Sequence, residues 1–361
     1  MTDSIDPDAL KFFSFTLFSK LEGAVTAGMV HLGDRLGLYT ALAGGNGDTS
    51  ASLAARTGLH ERWVREWLYN QVGARFVACD DLDAEEPVFR LTPEAVAVLA
   101  TPEHPAYGMG MFHRLPQTMA ALEDMPDAFR TGVGRDYDSH GPEGAVGIER
   151  SFEPWNRNFL VPVVLPALTG AIDKLEKGCR VADIGCGAGS LVLLLARTYP
   201  NSTFVGYDIS RHALDRANAK LAEEGLTNAR FVDPREEPIP SDNSVDIVTT
   251  FDCIHDMTHP TEMMRSIRSA VAPDGSWLLV DIKAQESPAD NIGKNPMASM
   301  LYGISVLSCM SSAMSAPDGE GLGTLGLPAS LAESMARDAG FGSFRRLDVD
   351  HNVNAFYEIK P

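Results

Sequence analysis

Two stretches of this chain carry residues that do chemistry at close spacing. The first, Thr249–Pro260, reads TTFDCIHDMTHP: an apolar run stops, His255 and Asp256 follow at once, and His259 comes shortly after. Three roles fit. An imidazole with an unperturbed pKa of about 6.5 suits a general base near neutral pH. His255, Asp256 and either His259 or another histidine offer nitrogen and oxygen ligands to a metal. In the third, Asp256 or Thr258 caps a helix that Pro260 opens, and His255 merely packs. The second stretch, VADIGCGAGSLVLLLA, sets Gly185, Gly187 and Gly189 between an apolar strand and an apolar helix. Glycines there let a ligand approach the backbone and allow φ values that a Cβ forbids. The spacing is not the dinucleotide fingerprint, because Ser190 holds its last position, and it lacks the Gly-Lys-Ser/Thr of a Walker A loop. Asp208 ends the next apolar run, FVGYDIS, where a carboxylate can accept both hydroxyls of a ribose. The combination fits an adenosine-containing ligand without a pyrophosphate.

The elements that must position these residues follow from periodicity. Short β-type runs at Arg180–Ile184, Thr203–Asp208, Ala229–Val232, Val245–Phe251 and Ser276–Ile282 alternate with helical stretches at Ser190–Tyr199, Arg211–Glu224 and Thr261–Val271. That alternation predicts an α/β domain with a parallel sheet. Ser343–Val349 and Val353–Ile359 lie too close together for a crossover helix and should pair as an antiparallel hairpin, giving seven strands. His255 then sits just past the carboxyl end of the fourth strand, where ligands bind in open α/β sheets.

The first hundred residues read as helical. Leu21, Val25, Met29, Leu32, Leu36 and Tyr39 recur at helical spacing and predict one apolar face. A short helix (Ala51–Arg56), a Thr57-Gly58 turn, a helix bearing Val64, Trp67, Leu68 and Val72, and two short strands make a winged-helix pattern; Thr92-Pro93 starts the next helix. Eight basic residues against fourteen acidic ones in this segment, and a net charge of −19 for the chain, argue against nucleic acid and against an anionic membrane surface as partners. Cys79, Cys179, Cys186, Cys253 and Cys309 are odd in number and scattered, which predicts reduced thiols and a cytoplasmic protein. The N-terminal stretch, with its apolar patch Phe12–Phe18 interrupted by Ser14 and Thr16, reads as neither a signal peptide nor a membrane span.

DIGCGAG followed by GYDIS resembles motif I and its acidic partner in class I S-adenosylmethionine-dependent methyltransferases, whose seven strands also end in a hairpin. With its winged-helix front the chain is similar to the small-molecule O-methyltransferases, where that domain mediates dimerisation, and to mycobacterial winged-helix methyltransferases. The resemblance implies S-adenosylmethionine as cofactor. It puts Asp183 and Gly185, with Gly187 and Gly189, near the methionine part, Asp208 and Ile209 at the ribose, Asp233 of RFVDP beside the adenine amine, and Phe251 near the methionine end. Those O-methyltransferases carry L-H-D-W where this chain has Ile254-His255-Asp256-Met257, so the resemblance makes His255 the base, with Asp256 beside it. The Trp of that motif is replaced by Met257, and the orienting acid is left unassigned.

Between the fifth strand and the last helix lies an insertion, residues 285–327, rich in Met, Ser and Gly. A long insertion in a compact domain is usually functional, and methionines suit an adaptable apolar pocket wall. It reads as a substrate lid, with Tyr302, and Tyr137 and Trp155 from the preceding segment, as pocket residues. The expected organisation is a winged-helix dimerisation domain (1–100), a helical linker (101–178) and a cofactor-binding catalytic domain (179–361). The expected activity is methyl transfer to a small, partly apolar acceptor by a homodimer. The alternatives are a metal-dependent C- or N-methyltransferase and a cofactor-binding transcriptional regulator.

Overall fold

A computed structural model describes residues 5–361 and divides the chain into two compact units, one ending at Pro116 and one running Gln117–Pro361. In the first unit, Asp6 caps the long helix Pro7–Arg35 by accepting from Asp8 N at 2.9 Å. Thr49 caps the helix Ser50–Thr57, and Gly58, at φ 68°, closes it. The helix Glu61–Gly73 follows, then an antiparallel pair of two-residue strands, β1 (Ala78–Cys79) and β2 (Phe89–Arg90). Thr92 caps the next helix with Pro93 at its start. The core gathers Val30, Leu38, Tyr39, Leu53, Trp67, Leu68 and Phe89, with Trp67 Nε1 donating to Met29 O at 2.9 Å.

The long helix differs from its sequence reading. Leu21, Val25, Leu32 and Leu36 are exposed, and the side turned inward carries Thr26, Val30 and Gly33. A Cβ on Gly33 would stand 2.5 Å from the Trp67 ring. The inner face is therefore selected for small size, which a search for large apolar residues passes over. Phe12, Phe13, Phe15 and Phe18 are also exposed, at 65–74%.

In the second unit, a seven-stranded sheet is built from β3 (Arg180–Ile184), β4 (Thr203–Tyr207), β5 (Ala229–Val232), β6 (Val245–Phe251), β7 (Val271–Ile282), β8 (Ser343–Arg346) and β9 (Asn354–Lys360). Their spatial order is β5-β4-β3-β6-β7-β9-β8. The first five are parallel; β9 runs antiparallel to both β7 and β8. The chain winds outward from β3 through β4 to β5, then returns to lay β6 on the other side of β3. That reversal opens a crevice at the carboxyl ends of β3 and β6. Apolar clusters cover both faces, one around Leu191, Leu195, Phe204 and Leu278, the other around Tyr207, Ile267, Trp277 and Phe341.

Element bounds move from their sequence reading: β8 stops at Arg346 and not Val349, and several others shift by one residue. β7 begins at Val271, not Ser276, because the Pro273–Gly275 stretch continues the strand across an irregularity opposite Val245/Ile247. The linker, expected to be helical, carries the helix Gly141–Phe159, which starts on the glycine- and proline-containing GPEG. Pro142 is tolerated in a first helical turn, and a buried anchor holds the helix: Glu149 is paired with Arg216 and Lys220 and accepts from Ser190 Oγ at 3.1 Å. Among the described residues, no single helix is long and apolar enough to cross a membrane.

Candidate active site

The glycine loop leaves β3 with Gly185, Gly187 and Gly189 all at positive φ, 73°, 53° and 75°. Two of the three are required by neighbours. A Cβ on Gly185 would meet Cys253 at 2.7 Å, and one on Gly189 would meet Phe231 at 2.4 Å. Gly187 faces open space instead. Its N–H donates to Asp208 Oδ2 at 2.7 Å, while Asp208 Oδ1 accepts from Ser210 N at 2.8 Å. The end of β4 therefore sets the loop's shape. Burial raises the Asp208 pKa, and the N–H groups of Ser210, Gly187 and Ile209 pull it back. Ile209 is 47% exposed beside it.

Asp183 is buried and accepts from Thr249 Oγ1 at 2.6 Å, a bond between register partners on the adjacent strands β3 and β6. Burial pushes its carboxyl up to about 7, against the Thr249 hydrogen bond. The folded chain thus holds this proton more tightly than an unfolded one titrating near 3.8. Stability from this group is present at low pH and falls as pH rises from about 4 to about 7. Asp183→Asn keeps the Thr249 bond and removes the charge. It is expected to flatten the decline of the ligand-free protein's unfolding temperature over that window; thermal scans with the same slope in both proteins would contradict this.

His255 lies in the short turn Ile254–Asp256 that follows β6, and only 2% of it is exposed. Its Nδ1 donates to Asp281 Oδ1 at 2.5 Å. Because a carboxylate only accepts, this bond fixes the tautomer and leaves Nε2 as the reactive nitrogen. Burial disfavours the charged ring, but the Asp281 carboxylate outweighs it and holds the His255 pKa well above the usual imidazole range. Asp281, near the end of β7, also accepts from Ile282 N at 2.7 Å. Asp252 joins the cluster at φ 48°; burial and then the Asp281 charge push its carboxyl up to about 7, and Asn354 donates to it.

The insertion closes over this turn. Gly323 N donates to His255 O at 3.0 Å and Glu320 N to Thr258 O at 2.9 Å. Its helices are Pro288–Lys294, Ala298–Leu307 and Cys309–Ala313. Cys309 lies with His255 and Asp256 in one group whose nitrogen, carboxylate oxygen and sulfur are all within 4.8 Å of one another. The segment before the helix Gly141–Phe159 is stitched to both sides. His140 Nε2 lies 3.0 Å from Ser308 Oγ, Arg135 N donates to Ser311 Oγ at 2.9 Å, and Asp138 accepts from Ser210 Oγ at 2.8 Å.

The other sequence-predicted residues fall at varying distances from this centre. Phe251 ends β6, partly buried against the core. Asp233 is held by Arg235, which also donates to Ile209 O at 2.7 Å, so the adenine and ribose candidates share one bridge. The Arg235 guanidinium holds the Asp233 pKa below its ordinary value. Tyr302 is 36% exposed on the insertion, and Tyr137 stands edge-on to His140 at 5.6 Å. Trp155 packs into the core, stacked on Phe159 at 5.2 Å and edge-on to His351 at 4.6 Å. His259 lies outside the His255 cluster, 3.8 Å from the exposed Asp318. Sequence reasoning missed Asp281 and Cys309. Asp281 had a signal: like Asp183 and Asp208, it is an acid at the carboxyl end of an apolar run, SWLLVDI. Cys309 had none.

Residues 175–320 match a model of the methyltransferase domain, and residues 24–101 match a model of the Rv2258c-like winged helix-turn-helix domain. An uncharacterised methyltransferase of Bacillus subtilis is 32% identical over 110 residues, 30% of this chain. That match spans 43% of the Bacillus subtilis protein's length. The mitomycin biosynthesis 6-O-methyltransferase of Streptomyces lavendulae is 25% identical over 74% of this chain and 77% of its own. Human N-acetylserotonin methyltransferase, solved with S-adenosylmethionine, superposes with a TM-score of 0.71 at 16% identity, covering 100% of this chain and 99% of that one. The mitomycin 7-O-methyltransferase superposes at 0.69 and 20% identity, over 98% and 99%. Both likenesses are of fold.

Proposed function

We propose that this chain, in which a methyltransferase domain follows an Rv2258c-like winged-helix domain, transfers the methyl group of S-adenosylmethionine to an oxygen of a small, partly apolar acceptor. The observation that carries this reading is the buried Asp281–His255 pair at the carboxyl ends of β7 and β6, beside a glycine loop whose Gly187 opens on free space. In this reading the ribose lies on Asp208 with Ile209 against it, and the adenine reaches toward Asp233. The methionine part runs past Asp183 and Gly185 toward Phe251. The name of the Streptomyces lavendulae relative, an O-methyltransferase similar over most of both chains, supports it.

The chemistry is an in-line displacement. The acceptor oxygen attacks the methyl carbon, the carbon–sulfur bond breaks, and S-adenosylhomocysteine leaves neutral. Placement supplies much of the rate, since a sulfonium needs little activation. His255 Nε2 takes the hydroxyl proton, and Asp281 stabilises the resulting imidazolium. The donor's positive charge disfavours a second one nearby, so cofactor binding pushes the ring toward its neutral, proton-accepting form. Asp256 stays beside the base as a turn residue. The insertion acts as a lid, with Tyr302 and Tyr137 toward the acceptor. Release of S-adenosylhomocysteine should depend on the ultrafiltered small-molecule part of a cell extract. Release that instead requires the retained macromolecules would overturn the small-molecule reading.

The front unit completes the proposal as a homodimerisation domain. The exposed Phe12, Phe13, Phe15, Phe18 and Leu21 form more apolar surface than a soluble monomer ordinarily leaves in water. Burying each such side chain is worth roughly 1.5–3 kcal/mol. Light scattering at micromolar concentration is expected to give twice the chain mass, and a monomer mass would refute the dimer.

A further inference from the structure

We propose that His255, Asp256 and Cys309 form a site for a zinc-type divalent ion, and that an ion bound there switches off the base. The second half rests on the reading of His255 as proton acceptor; the first does not. The three groups come from separate elements, the turn after β6 and the start of the helix Cys309–Ala313, and their ligand atoms lie within 4.8 Å of one another. Tetrahedral zinc, with ligands at about 2.0–2.3 Å, needs them roughly 3.3–3.8 Å apart, so the Cys309 and Asp256 side chains would have to close on His255, whose ring Asp281 pins. Thiolate, imidazole and carboxylate together are a zinc-type donor set.

A second observation points the same way. The Asp281 carboxylate on Nδ1 is the arrangement that orients zinc-binding histidines and raises their basicity. It leaves Nε2 as the coordinating atom. Asp281 is fixed in turn by Ile282 N. Cys309 is only partly buried. Loading would release the thiol proton and any proton on Nε2. Three protein ligands leave a fourth position for water.

Such an ion conflicts with the proposed reaction in two ways. It occupies the nitrogen lone pair that must accept the acceptor's proton. It also ties the insertion, through Cys309, to the turn, through His255 and Asp256, so that the lid is clamped. The ion is thus an inhibitor and not a Lewis acid for the acceptor.

The test uses the full chain with zinc alone, read by competition with a colorimetric chelator, and with cobalt, read by its thiolate charge-transfer absorption. Cys309→Ser is expected to weaken zinc binding by at least about tenfold, to abolish the cobalt–thiolate band, and to make S-adenosylhomocysteine production, measured against the variant's own metal-free rate, insensitive to zinc. Zinc should inhibit the wild type and spare the variant. Zinc binding no tighter in the wild type than in Cys309→Ser would overturn the site. Zinc held with the thiolate band but raising the rate would keep the site, overturn its inhibitory role, and remove His255 as the base.

Discussion

His255→Ala is expected to bind S-adenosylmethionine as well as the parent protein does and to turn over about 10²–10⁴ more slowly, the range for loss of a positioned general base. The split between binding and rate follows from the architecture. Except for Phe251 at the end of β6, the cofactor candidates hang from β3, β4 and β5, whereas the His255 side chain sits on the turn after β6 and contacts β7 through Asp281. Asp281→Asn sharpens the test. Asparagine fills the same space but cannot stabilise the imidazolium, and it permits the wrong tautomer, so the rate should fall while the fold persists. Steady-state rates, with cofactor affinity measured separately by calorimetry, check both variants. Near-normal turnover in His255→Ala would return the histidine to a packing role.

Asp208→Ala carries the second large effect, on affinity. A charge-assisted contact to a ribose is worth roughly 2–4 kcal/mol, or about 30- to 1,000-fold in Kd. The loss should exceed that of one ligand contact, because the same carboxylate holds the N–H of Gly187 and of Ser210. Removing it frees the glycine loop as well as the ribose hydroxyls. Calorimetry with S-adenosylmethionine and S-adenosylhomocysteine should show both ligands weakened alike, since they share the adenosine. Unchanged affinity would remove Asp208 from the site.

What the sequence made legible followed from local physics. The strands and the helices between them alternate in hydrophobicity at their own periods, and the observed bounds of Arg211–Glu224 and Val245–Phe251 match the sequence reading. The glycine loop was readable because positive φ and close approach leave glycine as the default residue. What escaped depended on contacts between distant segments. Asp281 meets His255 only once β7 is laid beside β6. Cys309 reaches the same centre only because the insertion folds back over the turn. Glu149 makes a helix of a glycine- and proline-containing stretch through partners on two other helices. On the front helix, the pattern of large apolar residues marked the outward face, while the core-facing side was defined by Thr26 and Gly33, whose signal is smallness.

Transfer of a methyl group onto an oxygen is the reaction proposed for this site. The most direct measurement supplies S-adenosylmethionine with an isotopically labelled methyl to the protein and a small-molecule extract, then follows the label by mass spectrometry. A low-molecular-weight product with the label on oxygen is expected, formed by the parent protein and nearly absent with His255→Ala. Label found on carbon or nitrogen at undiminished rate in His255→Ala, or retained wholly in a cofactor that binds tightly, would contradict this transfer.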